Sequence, residues 1–100
     1  DLMLVDLLNY PNPFSDYTYI SFGHNKPGVE MDITVDIFNM NGKIVSTIKA
    51  KEEAGGYRSQ NIYWDGSGAE NGQSFYIYRI RVQTSDGQEA VKSGKLILAK

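Results

Sequence analysis

Met31-Asp32-Ile33-Thr34-Val35-Asp36-Ile37-Phe38-Asn39, followed one residue later by Asn41-Gly42 and then by Lys43 to Ile48, is the stretch that decides the fold. Successive side chains of a strand point to opposite sides. Met31, Ile33, Val35 and Ile37 therefore fall on one face, and Asp32, Thr34 and Asp36 on the other. This is a half-buried strand with its apolar face inward and a solvated face outward. Asn-Gly tolerates positive φ at both turn positions, so the next segment is expected to return as the second arm of a hairpin.

The same punctuation extends in both directions. Upstream, Thr18, Ile20 and Phe22 share a face, and Asn25-Lys26-Pro27-Gly28 closes that strand with a turn. Downstream, Gln60 to Trp64 reads as a strand stopped by Asp65-Gly66-Ser67-Gly68 and a second Asn71-Gly72. The longest strand is Ser74 to Thr84, broken by Asp86-Gly87 before two further segments, Glu89 to Ser93 and Lys95 to Ala99. With a strand in the first ten residues the count is about seven. No window holds a helical period. The expectation is an all-β, two-sheet antiparallel sandwich, with Trp64, Phe75, Tyr76, Ile77 and Tyr78 as core or sheet-face residues.

One hundred residues with 41% hydrophobic side chains suit one packed domain spanning 1–100, and the absence of cysteine excludes disulfide staples. The chain starts with Asp, and Leu2 to Val5 look like chain arriving from elsewhere. Residues 1–8 are thus read as an incoming segment, and the whole as the C-terminal module of a larger polypeptide. Ten basic and twelve acidic side chains leave a net charge of -2, which argues against nucleic acid or an anionic membrane as partner. No apolar run approaches the ~20 residues of a membrane helix.

Chemistry is sparse. His24 is the single histidine and there is no cysteine, so no nucleophile, base and orienting group come together. No catalytic residue and no enzyme activity are expected. His24 itself is read as a surface or edge histidine. Asp32 and Asp36 lie too far apart along an extended strand for a carboxylate dyad. Asp65-Gly-Ser-Gly-Ala-Glu-Asn-Gly approaches calcium-loop spacing, but Ala69 and Tyr76 stand where ligands are needed, so no metal is expected. No glycine turn opens a helix, so no phosphate-binding cofactor is expected either. Tyr57, Tyr63, Trp64 and Tyr78 either fill the space between sheets or form an exposed sugar-stacking platform.

Four stretches in order carry a resemblance. Leu8-Asn9-Tyr10-Pro11-Asn12-Pro13-Phe14 with Thr18-Tyr19-Ile20-Ser21-Phe22, then Val35 to Val45, then Ile62-Tyr63-Trp64-Asp65-Gly66 with Phe75 to Ile80, and finally Gly94-Lys95-Leu96-Ile97-Leu98-Ala99-Lys100 together resemble the FlgD immunoglobulin-like and type IX secretion C-terminal domains. A related case is the retained C-terminal domain of the type IX sortase. The one departure is Gln73-Ser74-Phe75, where most members carry a small residue and Gly.

The resemblance implies an immunoglobulin-like sandwich that acts as a sorting signal. Such a domain directs a passenger across the outer membrane of Bacteroidetes-type bacteria, from the periplasm to the cell surface. Its implied partners are the type IX translocon or its shuttle, a sortase-like peptidase, and an upstream passenger. The final strand is expected to carry recognition, through partner-binding residues Gly94, Lys95, Leu96, Ile97, Leu98 and Lys100. Strand addition at a sheet edge would supply main-chain hydrogen bonds, Leu96 and Leu98 would fill pockets, and Lys95 and Lys100 would fix register. Pro11 and Pro13 are read as shaping an extended approach to the first long strand. The alternatives are a carbohydrate-binding module or a passive structural one.

Overall fold

The computed structural model describes residues 1–53, 55–69 and 74–99. Seven strands follow in chain order: β1 (Leu4–Tyr10), β2 (Thr18–His24), β3 (Glu30–Phe38), β4 (Ile44–Glu53), β5 (Ile62–Trp64), β6 (Phe75–Thr84) and β7 (Glu89–Ile97). One antiparallel sheet has the order β1-β2-β5 and the other β4-β3-β6-β7. The chain changes sheets three times, which places β3 and β6, far apart in sequence, side by side at the centre of the larger sheet.

The period-2 pattern is realised. Met31, Ile33, Val35 and Ile37 are buried in one cluster with Ile20 and Phe22 of β2, Ile62 and Trp64 of β5, and Tyr76, Tyr78, Ile80 and Val82 of β6. Removing this apolar surface from water, at ~25 cal/mol per Å², is the dominant stabilising effect in a domain without cross-links.

The β3–β4 hairpin forms, with a different turn from the one expected. Only Gly42 takes positive φ, at 83°. Asn39 N–H donates to Lys43 C=O at 2.9 Å and Gly42 N–H to Asn39 C=O at 3.0 Å, which leaves a three-residue loop ending on a left-handed glycine, a common hairpin solution. The buried Asn39 side chain takes the place of a second positive-φ residue. Its Oδ1 accepts from the N–H groups of Asn41 and Lys43 at 2.9 and 3.0 Å.

Two other expectations change. Glu89 to Ser93 and Lys95 onward form one strand, because Gly94 is a packing glycine and not a break. Tyr78 of β6 pairs with it, and a Cβ at Gly94 would stand 2.5 Å from the Tyr78 ring. The strand expected in the first ten residues is β1, preceded by a buried Leu2 and starting at a buried Leu4; Asp6, at φ 49°, marks a register irregularity between Val5 and Leu8. The peptide bonds before Pro11 and Pro13 are both cis, in the connection that delivers Phe14 to the core at 1% exposure.

Candidate functional site

β7 is an edge strand, and its hydrogen bonds identify its free side. Leu98 N–H donates to Ser74 C=O at 2.7 Å, across towards β6. Phe14 N–H donates to Ile97 C=O at 2.9 Å, and Ala99 N–H to Phe14 C=O at 2.7 Å. Even-numbered residues of this segment thus address β6 and odd-numbered ones the opposite side. The Phe14 segment covers that side at residues 97–99. From Glu89 to Lys95 the odd-numbered N–H and C=O groups face this open edge, where no described residue forms a ladder with them; β1 packs beside β7, and Lys92 Nζ donates to Leu4 C=O at 3.3 Å.

The side chains divide by the same alternation. Leu96 and Leu98, expected to fill a partner's pockets, are 0% and 7% exposed and belong to the domain's own core. The larger sheet places them inward, so in the folded state they are unavailable to a partner. Gly94 lies against Tyr78. Lys95 is exposed, with Nζ 4.2 Å from the centroid of the Phe75 ring, a cation–π contact. Ile97 is half-buried on the outer face. Lys100 lies outside the described residues.

Around Lys95 and Ile97 the register assembles a strip that sequence reading did not single out. Ile97 pairs with Phe75, Lys95 with Ile77, Ile77 with Phe38, and Phe38 with Ile44. Apolar side chains therefore cross all four strands on the outer face, with Phe75 40% and Ile44 47% exposed. Arg79 lies 4.9 Å over the Phe38 ring. The available signal was that Phe38 falls on the Asp32/Asp36 side of β3, where an aromatic needs a reason to be.

Asp36 corrects the solvated-face reading. It is 8% exposed and accepts from Arg79 Nη2 at 2.8 Å and from Thr47 Oγ1 at 2.9 Å. Its burial opposes ionisation. The hydrogen bonds from Arg79 and Thr47 and the charges of Arg79 and Arg81 outweigh that effect and hold its pKa below the ordinary 3.8. Asp32 behaves as expected: exposed and 3.4 Å from Lys51, a surface pair of little energetic weight.

His24 is likewise buried, at 4% exposure, and not a surface histidine. The end of β2 is covered because β2 continues its pairing past β5: His24 N–H donates to Tyr57 C=O at 2.8 Å and Ser59 N–H to Phe22 C=O at 2.8 Å. The imidazole Nδ1 accepts from Lys26 N–H at 3.1 Å, so the neutral tautomer carries its proton on Nε2, which has no partner. Desolvation lowers the pKa from 6.5, opposed by the charge of Glu52. Protonating Nδ1 would also break the bond from Lys26. The folded state thus binds a proton less readily than the unfolded chain. Stability is fully present above pH 6.5 and falls as the pH drops from 6.5 towards the lowered folded pKa. Thermal unfolding from pH 8 to 5 should show this decline, and His24→Gln should flatten it.

The structure divides the aromatics that sequence left ambiguous. Trp64 and Tyr78 are 2% exposed, whereas Tyr57 and Tyr63 are 69% and 53% exposed. The Asp65 carboxylate accepts from Ser67 N–H at 2.9 Å, closing the turn after β5. Among the described residues no group of three or more His, Asp or Glu side chains is placed to hold a metal ion.

A three-stranded and a four-stranded antiparallel sheet around one core, entered and left by edge strands, define an immunoglobulin-like sandwich. A family model for secretion system C-terminal sorting domains matches residues 9–98, and the chain belongs to that family, the sorting domains of type IX secretion. Among solved structures, dimeric latent PorU from Porphyromonas gingivalis aligns with a TM-score of 0.78 and 27% identity, covering 99% of this chain and 9% of that one. CopC from Methylosinus trichosporium OB3b shares the fold at TM-score 0.65 and 18% identity, covering 98% of this chain and 93% of that one. A Parabacteroides merdae β-glucuronidase does so at TM-score 0.66 and 12% identity, covering 97% and 13%. No curated protein matches the chain. Membership in this family supports a secretion-signal role, with export to the cell surface, and the family is one of signals and not of catalysts. Among the described residues no helix is long and apolar enough to cross a membrane.

Proposed function

We propose that the folded sandwich is itself the export signal, held at β7 by a strand of the type IX translocon or of its shuttle. A passenger joined ahead of the domain is thereby carried across the outer membrane, and a sortase-like peptidase acts on the assembled substrate. The observation that supports this reading is the open edge of β7 from Glu89 to Lys95. An added strand finds unpaired donors and acceptors there. The exposed Lys95, with Ile97 and Phe75 beside it on the outer face, supplies side-chain selectivity. Leu96 and Leu98 contribute by holding β7 in place and make no contact with the partner.

The alternation of β7 provides the test. Ser93 directs its N–H to the open edge, so Ser93→Pro removes a donor that a partner would use and leaves the β6 ladder intact. Lys92 directs its N–H to β6, so Lys92→Pro breaks that ladder. A periplasmic reporter fused ahead of the domain, in a host with type IX secretion, should reach the surface with the wild-type domain. With Ser93→Pro its delivery should fall by about tenfold, the equivalent of roughly one lost hydrogen bond, while circular dichroism shows a folded domain. Export of the Ser93→Pro fusion at the wild-type level would exclude edge pairing as the mode of recognition.

A further inference from the structure

The outer faces of the two sheets differ in chemistry. The larger sheet presents Lys49, Lys51, Arg79, Arg81 and Lys95, whereas β1, β2 and β5 contain no lysine or arginine at all. Tyrosine is concentrated on the smaller sheet instead. Tyr10 pairs with Tyr19 across β1 and β2, and Tyr19 with Tyr63 across β2 and β5, so three tyrosines stand in a row across the sheet, with the Tyr19 and Tyr63 ring centroids 5.7 Å apart. Tyr17 joins the row, with its ring centroid 5.5 Å from Tyr19 and 6.0 Å from Tyr63 at an interplanar angle of 24°. All four are exposed, from 38% at Tyr19 to 78% at Tyr10.

From this arrangement we infer that the outer face of the β1-β2-β5 sheet is a binding platform for a neutral saccharide. Aromatic rings in a row offer apolar faces and edges to successive sugar rings, and tyrosine adds a hydroxyl that can donate or accept. Asn61 and Asp65 flank β5 and are exposed; the Asn61 amide can meet a sugar hydroxyl, whereas the Asp65 carboxylate accepts from Ser67 N–H.

Charge separates this occupant from others. The one cation on this face, Arg58, pairs with Gly23 at the other end of β2 and donates to the Asp6 carbonyl at 2.7 Å and the Ser21 hydroxyl at 3.1 Å; no lysine or arginine of β1, β2 or β5 stands in the tyrosine row. The aliphatic side chains exposed on this face are Val5, opposite Gly23, and Leu8, opposite Ser21. A neutral polyhydroxylated ligand conflicts with neither feature. The tyrosine row lies on β1, β2 and β5 and includes no residue of β7.

Affinity electrophoresis of the 100-residue chain in gels containing xyloglucan, galactomannan, soluble β-glucan or polygalacturonate tests it. Retardation is expected in at least one neutral polysaccharide and not in polygalacturonate. It should be lost in Tyr19→Ala and Tyr63→Ala, retained in part by the corresponding Phe variants, and unchanged in Tyr57→Ala, whose exposed ring lies elsewhere. Near-ultraviolet circular dichroism from the buried Trp64 reports whether each variant is folded. Absence of retardation in every neutral gel, preference for polygalacturonate, or normal retardation of the folded alanine variants would each overturn the inference. So would sedimentation showing a dimer that Tyr63→Ala abolishes.

Discussion

Replacing Trp64 with alanine is expected to lower the stability of the domain by about 3–5 kcal/mol, the usual cost of deleting a large buried aromatic. The indole is 2% exposed, with ring centroids 5.5 Å from Phe14 and 6.1 Å from Tyr76. It thus joins the β1–β2 connection, the short strand β5 and the centre of the larger sheet. Its Nε1–H donates to Ser67 C=O at 3.2 Å, anchoring the turn after β5. β5 is only three residues long and pairs with β2 alone, so it has few other contacts to hold it. Against a total of roughly 5–15 kcal/mol for a domain of this kind, the loss is large. Urea unfolding followed by far-ultraviolet circular dichroism measures it directly. A shift below about 1 kcal/mol would mean that the site collapses around the missing ring. Since the export signal is proposed to be the folded sandwich, the same substitution should abolish surface delivery of a fused reporter.

Gly68→Ala is the second substitution with a large expected effect. Gly68 has φ 87°, a left-handed conformation that costs an L-residue roughly 1–2 kcal/mol. A Cβ there would also lie 2.0 Å from the Val45 carbonyl oxygen and 2.9 Å from its carbon. Both are backbone atoms, so no rotamer change relieves the clash. The turn must lift from β4, drawing Ser67 C=O away from Trp64, and a further ~1–3 kcal/mol of overpacking is expected. Gly42→Ala supplies the control. Its φ is 83° and nothing lies within 4 Å of the added atom, so it bears the conformational cost alone. Denaturation midpoints for the pair therefore separate the steric part from the conformational part. Equal losses at the two positions would contradict the close approach of Gly68 to Val45.

Met31 to Ile37, Thr18 to Phe22 and the glycine turns were sufficient for seven strands and a sandwich, because alternation and positive-φ turns are local properties of the chain. The resemblance to sorting domains was legible for a related reason: it rests on short motifs in a fixed order. The candidate edge was legible only in part. That the last strand would lie at an edge followed from the family likeness. Which of its groups face out required the two hydrogen-bonded contacts of Phe14 with Ile97 and Ala99. Leu96 and Leu98 look the same in sequence whether they fill a partner or the domain's own core.

Asp32 and Asp36 show the limit most plainly. They share a face of one strand, yet one is solvated and the other buried against Arg79, 43 residues away in sequence. His24 is buried for a comparable reason, by the Tyr57 to Ser59 segment that extends pairing along β2. Tyr19 and Tyr63 form an exposed row while Tyr78 packs beneath Gly94, though all three stand in similar alternating strands. Sequence by itself determined the strands, their inward faces and the family. Only the tertiary structure decided which polar groups are buried, which aromatics remain outside and which edge stays open. Those outcomes depend on what the neighbouring strand places opposite each residue, and chain crossings between sheets bring that neighbour from far along the sequence.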